Sequence, residues 1–482
     1  MIFILTKLTI KVGSTVLDKY QLKAIKSKSQ NLLVIAGAGS GKTLTIIGKI
    51  KYLLGKGIFP NEILCLTYTK AAATSLENKL KKENINLKVH TFHSLGYSLL
   101  KNKYDLNLTS DQTLNKIIDS KLSTIHLNDY FYKKITNKNQ NYYKAKLKET
   151  LNRFITLFKT NNYKISDFQK FRKQNHQNHD YYEYSKHDNF LSLARTTLLN
   201  YQKYLTNHGE IDFSDMINLA IKIIAKTNNL NYKYIIIDEY QDTSLSKCEL
   251  VQELIKKTKA KLMVVGDDWQ SIYSFTGSNL SIFTNFKSYF PKSKKINLKN
   301  TYRNSQELLT MTSKFIQKNP YQLPKKLLSH KKSKYPIKIL YYQDTLLELW
   351  PYILNQTQNS KVYVLGRNNK DQNQIPYLPK NMEYLTIHKS KGLEAEKVVV
   401  INLEDKYDSL PNKMVDHEFL EYVTSKTDDF PYAEERRLFY VALTRTQSDV
   451  YLLVKKDNPS PFITELIRTF PNRIKIIDPK NN

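Results

Sequence analysis

One segment constrains the fold of this 482-residue chain more than any other: Ala36-Gly37-Ala38-Gly39-Ser40-Gly41-Lys42-Thr43. A short apolar run at 32–35 precedes it and an apolar-periodic stretch at 44–54 follows, which reads as strand, loop and helix. Small residues let backbone N–H groups cradle phosphates, and the helix N-terminus adds its dipole. Lys42 then reaches the β and γ oxygens, and the Thr43 hydroxyl is offered to Mg²⁺. Ala36 stands where the general pattern of such loops has its first glycine.

The strand rhythm recurs. Runs at 63–67, 234–238 and 262–266 are almost continuously apolar, as parallel strands covered on both faces must be, and a second group follows at 337–342, 362–366, 384–388, 398–403 and 450–454. Two parallel α/β sheets are therefore expected, and at roughly 100–200 residues per domain the length allows two to four domains. The stretch from about 101 to 208 breaks the rhythm. It is rich in Lys, Asn, Tyr and His and carries helical spacing such as Leu151, Phe154, Ile155 and Phe158. It reads as a helical insertion in the first of two domains, 1–300 and 301–482.

Three further motifs carry chemistry. Ile235-Ile236-Ile237-Asp238-Glu239-Tyr240-Gln241-Asp242 ends an apolar strand in two carboxylates. The first is placed to hold Mg²⁺, directly or through water, and the second to orient or deprotonate an attacking water. Such a pair is common at strand ends, but beside a phosphate loop in the same sheet the two converge at the carboxyl ends of parallel strands. Val264-Val265-Gly266-Asp267-Asp268-Trp269-Gln270-Ser271-Ile272-Tyr273-Ser274-Phe275 closes another strand. Gln270 can sense a γ-phosphate, while Tyr273 and Phe275 either stack on bases, at about 1–3 kcal/mol per base, or pack in a core. Finally, Thr301-Tyr302-Arg303-Asn304 and the run from Glu434 to Arg445 each deliver an arginine. Arginines reaching a nucleotide held by another domain make hydrolysis depend on domain closure, although most single arginines are solvated surface groups.

Composition bears on partners and compartment. With 75 Lys+Arg against 44 Asp+Glu the net charge is +31, which draws polyanions, though an A/T-rich coding sequence would leave the same Lys-rich excess. Hydrophobic residues at 41% argue against global disorder. Cys65 and Cys248 are isolated, so neither a disulfide framework nor structural zinc is expected. The apolar opening Met1-Ile2-Phe3-Ile4-Leu5 is too short for a signal segment, and no stretch reaches the roughly 18–20 apolar residues of a membrane span. A soluble, cytoplasmic chain without membrane contact is expected.

Taken in order, the motifs resemble those of the UvrD/Rep class of superfamily 1 DNA helicases, from about Leu17 to Val454. Within that class, Gly266-Asp267-Asp268-Trp269-Gln270, Phe275-Thr276-Gly277-Ser278, Phe315-Ile316-Gln317-Lys318-Asn319-Pro320 and Asp429-Phe430-Pro431 through Arg437 are most similar to the bacterial DNA helicase IV branch. The resemblance implies two RecA-like P-loop domains with ATP and Mg²⁺ between them. It implies that Gln21, in Leu17-Asp18-Lys19-Tyr20-Gln21, reads the adenine edge and that Ala36, Gly37, Ala38, Gly39, Ser40, Gly41, Lys42 and Thr43 hold the phosphates. Tyr302 would stack on the base, Glu394 in Ser390-Lys391-Gly392-Leu393-Glu394 would contact the ribose, and Gln270, Arg303 and Arg445 would surround the γ-phosphate. For single-stranded DNA it implies a path along Tyr68, His93, Tyr273, Phe275 and His388. Buried, hydrogen-bonded structural histidines would account for His93 and His388 as well.

Thr276 stands where many members of the class carry an arginine, and Leu44 where several carry a basic residue. The interval from Arg303 to Thr386 is too short for the large accessory domain that UvrD and Rep insert there. The chain starts close to the nucleotide motif and ends soon after Arg445, so a minimal motor is expected, without an N-terminal extension or a nuclease domain. The expected function is ATP-dependent 3′–5′ DNA helicase and single-strand translocase, acting at single-strand/duplex junctions in replication, repair or recombination. A DNA-dependent ATPase that does not unwind alone, and an RNA helicase, remain as alternatives.

Overall fold

The computed structural model describes residues 11–101, 107–131, 135–413, 417–424 and 428–478; the apolar opening segment lies outside the described residues. Two six-stranded parallel sheets organise the chain. The first contains β1 (Asn31–Ile35), β2 (Ile63–Thr67), β3 (Val89–Thr91), β4 (Tyr234–Ile237), β5 (Lys261–Gly266) and β6 (Ser293–Asn297) in the order β6-β1-β5-β4-β2-β3. The second contains β7 (Ile337–Tyr342), β8 (Val362–Gly366), β9 (Met382–Thr386), β10 (Lys397–Val400), β11 (Val450–Lys455) and β12 (Ile474–Ile477) in the order β9-β8-β10-β11-β7-β12. Every residue of β1, β2 and β8 is buried, because helices cover both faces. Both sheets have the parallel, helix-covered construction of RecA-like domains.

The strands differ from the sequence reading at the sheet margins. The strand expected at 384–388 is β9, which starts at Met382 and ends at Thr386, so that His388 lies in the turn beyond it. That turn closes when the Ser390 N–H donates to the Thr386 carbonyl at 3.0 Å. The strand expected at 398–403 stops at Val400, just before Asn402 enters the left-handed region at φ 56°. Strands β3, β6 and β12 are unanticipated. All three are edge strands, and the lysines of β6 and β12 mask the apolar signal, as is common at a solvent-facing edge.

The helical insertion leaves the first sheet through a neck in which Asn107–Leu108 pairs in parallel with Glu210–Ile211. Its helices Asp111–Leu122, Gln140–Thr160, Asp167–Asn178 and Tyr181–His208 enclose an aromatic core. Leu151, Phe154, Ile155 and Phe158 are all buried there, as their spacing predicts. Phe154 meets Phe190 edge to face at 5.3 Å, and Phe158 stacks on Phe168 at 5.1 Å. The last layer of this core comes from far downstream. In the short 3-10 helix Glu418–Tyr422, Phe419 stacks on Phe190 at 4.2 Å and Tyr422 lies 5.7 Å from Phe171. Burying one such aromatic side chain contributes about 1.5–3 kcal/mol.

Ala38, Trp269, Leu309, Ile316, Leu327 and Tyr440 form a small apolar cluster that joins the halves beneath the phosphate loop. Among the described residues, no helix is long and apolar enough to cross a membrane.

Candidate functional site

The phosphate loop joins β1 to the helix Lys42–Leu54, and its two tight bends use glycines at positive φ, Gly39 at 68° and Gly41 at 80°. Its start is pinned to the sheet by the Ala36 N–H, which donates to the Gly266 carbonyl at 2.9 Å. Ser40 braces the interior, with its hydroxyl donating to the Gly37 carbonyl at 2.9 Å. The second half of the chain lies directly on this loop. Thr301 Oγ1 donates to the Ala38 carbonyl at 2.8 Å and the Tyr302 N–H to the Gly39 carbonyl at 3.0 Å. A Cβ on Gly37 would sit 2.6 Å from Leu327 Cδ1, so a larger residue there would displace the Leu327 side chain, in the linker between the helix Gln306–Ile316 and β7.

Gln21 reaches the loop from the capping box of the helix Lys19–Ile25. Its Oε1 accepts from the Asp18 N–H at 2.9 Å, and its Nε2 donates to the Ser40 carbonyl at 3.4 Å. Asp18 uses its other oxygen to accept from the Tyr302 hydroxyl at 2.8 Å and from Asn300 Nδ2 at 3.0 Å. Tyr302 is therefore fixed by its hydroxyl while half of it remains exposed, and burial together with Asp18 pushes its pKa up to about 12.

Asp238 and Glu239 leave the end of β4 with different electrostatics. Glu239 adopts φ 50°, and its Oε2 accepts from Lys42 Nζ at 2.8 Å and Gln241 Nε2 at 2.7 Å. Burial opposes its charge, but Lys42 and Lys391 outweigh it and hold its pKa well below the usual carboxylate range. Asp238 is pushed upward by burial and by the Glu239 charge. Burial likewise opposes the Lys42 ammonium, and Glu239, Asp238 and Asp267 more than compensate, so its pKa lies above that of an ordinary lysine. Thr43 is half-buried in the first turn of the helix.

The arginines arrive from the other half. Arg445 is almost wholly buried; its Nη2 donates to Gln270 Oε1 at 2.9 Å and its Nε to the Val441 carbonyl at 3.1 Å. Burial and the neighbouring Arg303 push its pKa down to about 9. Arg303 Nε pairs with Glu394 Oε2 at 2.7 Å, and its Nη1 donates to the Thr444 carbonyl at 3.2 Å. Lys42, Arg303 and Arg445 thus rest on protein acceptors that a polyphosphate would have to replace. Glu394 meets Arg303, which the resemblance assigns to the γ-phosphate and not to the ribose side.

The expected base-stacking residues fall into two clusters. Tyr68 lies 5.1 Å from Phe92 with Lys247 Nζ 5.0 Å over its ring, and its hydroxyl bonds Thr243. His93 packs edge-on against Phe213 at 5.3 Å. In the second cluster Phe275 lies 5.6 Å from His388 and 6.0 Å from Tyr273, whose hydroxyl donates to the His388 carbonyl at 3.2 Å. Phe275 and Phe213 are about half exposed. Burial, with Lys247 beside one ring and Arg367 and Lys391 beside the other, pushes His93 and His388 down to about 4.

Three residues that join these parts escape a motif reading. Gln241 donates to Glu239 and accepts from the Asp267 N–H at 2.9 Å, linking the ends of β4 and β5. Lys391 pairs with Asp242 at 2.5 Å and lies 4.8 Å over the Tyr273 ring, so the carboxylate motif touches the aromatic cluster through one side chain. Lys325, in the linker, pairs with Asp267 and with Asp268 and donates to the Ala36 carbonyl at 3.0 Å. Removing one partner of such a buried pair costs about 3–5 kcal/mol. Gln241 and Asp242 lie beside Glu239 and Lys391 lies in the Ser390–Glu394 motif, but neither motif signalled these contacts, and Lys325 lay in none.

The family model for the UvrD/REP helicase N-terminal domain matches residues 17–291, and that for the UvrD-like helicase C-terminal domain matches residues 361–457. DNA helicase IV of Escherichia coli is 28% identical over 94% of this chain and 70% of its own length. A probable DNA helicase of Mycoplasma pneumoniae is 27% identical over 91% of this chain and 83% of its own length. The ATP-dependent DNA helicase Rep of Buchnera aphidicola subsp. Acyrthosiphon pisum is 31% identical over 66% of this chain, which spans about half (48%) of that relative.

Proposed function

The chain belongs to the UvrD/REP helicase family, and from that premise we propose that it is an ATP-driven 3′–5′ DNA helicase and single-strand translocase. The observation that carries this reading is the meeting of Lys42 and Glu239 from the first sheet with Gln270, Arg303 and Arg445 around one phosphate loop. In the proposed arrangement, residues 1–300 and 301–482 are the two motor domains, with the insertion at about 101–208 in the first. Gln21 and Tyr302 take the base, Glu394 takes the ribose once Arg303 turns to the γ-phosphate, and the backbone of Ala36 to Thr43 takes the phosphates.

The Thr43 hydroxyl and the Asp238 carboxylate are the hard oxygen donors that Mg²⁺ requires, and a cation would offset the burial and the Glu239 repulsion that raise Asp238. When bound, the ion neutralises charge on the phosphate oxygens. Glu239, kept ionised by Lys42 and Lys391, orients the attacking water and accepts its proton. Arg445 and Arg303 stabilise the charge of the transferring phosphoryl group, which requires Arg445 to leave Gln270. Because Gln270 precedes the Tyr273–Phe275 segment, and Asp242 reaches Tyr273 through Lys391, a change at the phosphate is passed to the bases by short covalent and ionic steps. Single-stranded DNA then runs past Tyr68, His93, Tyr273, Phe275 and His388, and the protein acts at junctions during replication, repair or recombination.

Strand displacement on 3′-tailed and 5′-tailed duplexes of DNA and of RNA tests this reading. Displacement is expected on 3′-tailed DNA alone, and Lys42→Ala should abolish both displacement and DNA-stimulated ATP hydrolysis. Hydrolysis without displacement on any duplex would favour a motor that needs a partner; displacement of 5′-tailed duplexes would overturn the polarity.

A further inference from the structure

We propose that His179, His187 and Glu421 form a transition-metal site, best suited to Zn²⁺, that fastens the segment around Glu418–Tyr422 to the helical insertion. The site lies apart from the nucleotide cleft. His179 caps the end of the helix Asp167–Asn178, His187 stands in the early turns of Tyr181–His208, and Glu421 comes from the second half of the chain. One donor atom from each lies within 4.8 Å of the other two.

Two observations point to a cation. First, each imidazole is held through its Nδ1. Asn175 Nδ2 donates to the Tyr184 carbonyl at 3.0 Å, which turns its Oδ1 toward His179 Nδ1 at 2.9 Å. His179 therefore carries its proton on Nδ1 and presents the Nε2 lone pair. His187 Nδ1 meets the Tyr422 hydroxyl at 2.8 Å, so its Nε2 is likewise directed away from that bond. Partners of this kind orient metal-binding histidines and fix their tautomer. Second, Glu421 Oε1 is buried without a hydrogen-bond donor among the described residues, 3.8 Å from His179 Nε2. A carboxylate oxygen in that state costs free energy unless a cation or donor reaches it.

Two imidazoles and one carboxylate suit Zn²⁺ and other late first-row ions and do not suit Mg²⁺ or Ca²⁺. Zn–N bonds of about 2.0–2.1 Å set tetrahedral donors about 3.3 Å apart. His179 and His187 stack face to face, with centroids 4.1 Å and planes 30° apart. Binding therefore requires the two rings to tilt further open as well as the Glu421 side chain, 20% exposed, to close in. The fourth position is left to water.

The test uses the untagged full-length protein, stripped with a chelator and kept in millimolar Mg²⁺ so that oxygen-donor sites are saturated. Zn²⁺ is titrated by calorimetry, Co²⁺ by its visible absorption, and melting is followed with and without Zn²⁺. One equivalent is expected to bind, with a Tm rise of a few degrees. Glu421→Gln and His179→Gln, both at partly exposed positions, should each weaken Zn²⁺ at least tenfold and remove the rise, and Asn175→Ala should weaken it about 10–100-fold through the lost orientation. Absence of stoichiometric binding at micromolar Zn²⁺, or affinity unchanged in both ligand variants, would overturn the site.

Discussion

In the nucleotide cleft the three cations aimed at the phosphate loop are already engaged, Lys42 on Glu239, Arg445 on Gln270 and Arg303 on Glu394. Along the aromatic track, Phe275 and Phe213 are half exposed and meet their neighbours through ring faces and edges alone. In the proposed function the cleft works by exchanging one defined polar partner for another, so its output would depend on charge and on angles. In the proposed function the track works by contact area, so its output would depend on how much ring is offered to a base. A substitution that preserves charge but alters geometry should therefore damage the cleft and leave the track almost untouched.

The sharpest way to break that contrast is Arg445→Lys. Charge is retained, but the planar fork that spans Gln270, Val441 and Leu393 is lost. The turnover rate of ATP should fall on the order of 10³-fold, with single-stranded DNA affinity changed by less than about twofold. A comparable loss of DNA affinity, read by fluorescence anisotropy, would merge the two regions into one. The next effect is smaller and opposite in kind. Phe275→Ala should weaken single-stranded DNA by about 1–3 kcal/mol per base lost from the stack, whereas Phe275→Tyr should restore most of it because area is kept. Failure of the tyrosine to rescue would show that shape, and not area, governs the track.

The smallest effect concerns pH. His93 and His388 lie near 4 where an ordinary histidine lies at 6.5, because burial disfavours their charged form. Both stay neutral at physiological pH, so DNA affinity at fixed salt should change less than about twofold between pH 6.5 and 8. Since the folded values lie below the unfolded ones, the stability linked to the neutral rings is complete above 6.5 and is lost as pH falls from there toward 4. Thermal melts across that window check the sign; a melting temperature that rises on acidification would contradict the burial of these rings.

How far the molecule could be read in advance follows the same divide. The phosphate loop, Asp238 and Glu239 are legible because phosphate and metal chemistry demand particular residue types at strand ends, and burial on both faces writes β1, β2 and β8 as apolar runs. Lys325 carries no such mark, and Lys391 stands in the Ser390–Glu394 motif without any mark of its ion pair. Each meets its carboxylate across a long stretch of chain, and a lysine that will be buried in an ion pair looks like any other lysine in a chain with so many. The edge strand β6 is hidden for a related reason, since its outward lysines serve the solvent. In the proposed aromatic track Tyr68, His93 and His388 come through resemblance alone, and at Tyr273 and Phe275 the motif leaves stacking and packing both open, because a tyrosine that packs and a tyrosine that stacks on a base are the same residue until the neighbours are known.

The Phe419 layer has a consequence for how the protein is made. The insertion's helices leave the ribosome with Phe190 and Phe171 still uncovered, and their partners Phe419 and Tyr422 are synthesised much later. At about 5–20 residues per second, that wait lasts on the order of 10–50 s. During it the nascent chain displays a greasy aromatic face in a crowded cell. A part of the molecule rich in lysine and asparagine thus keeps an apolar face open until its final stitch is in place.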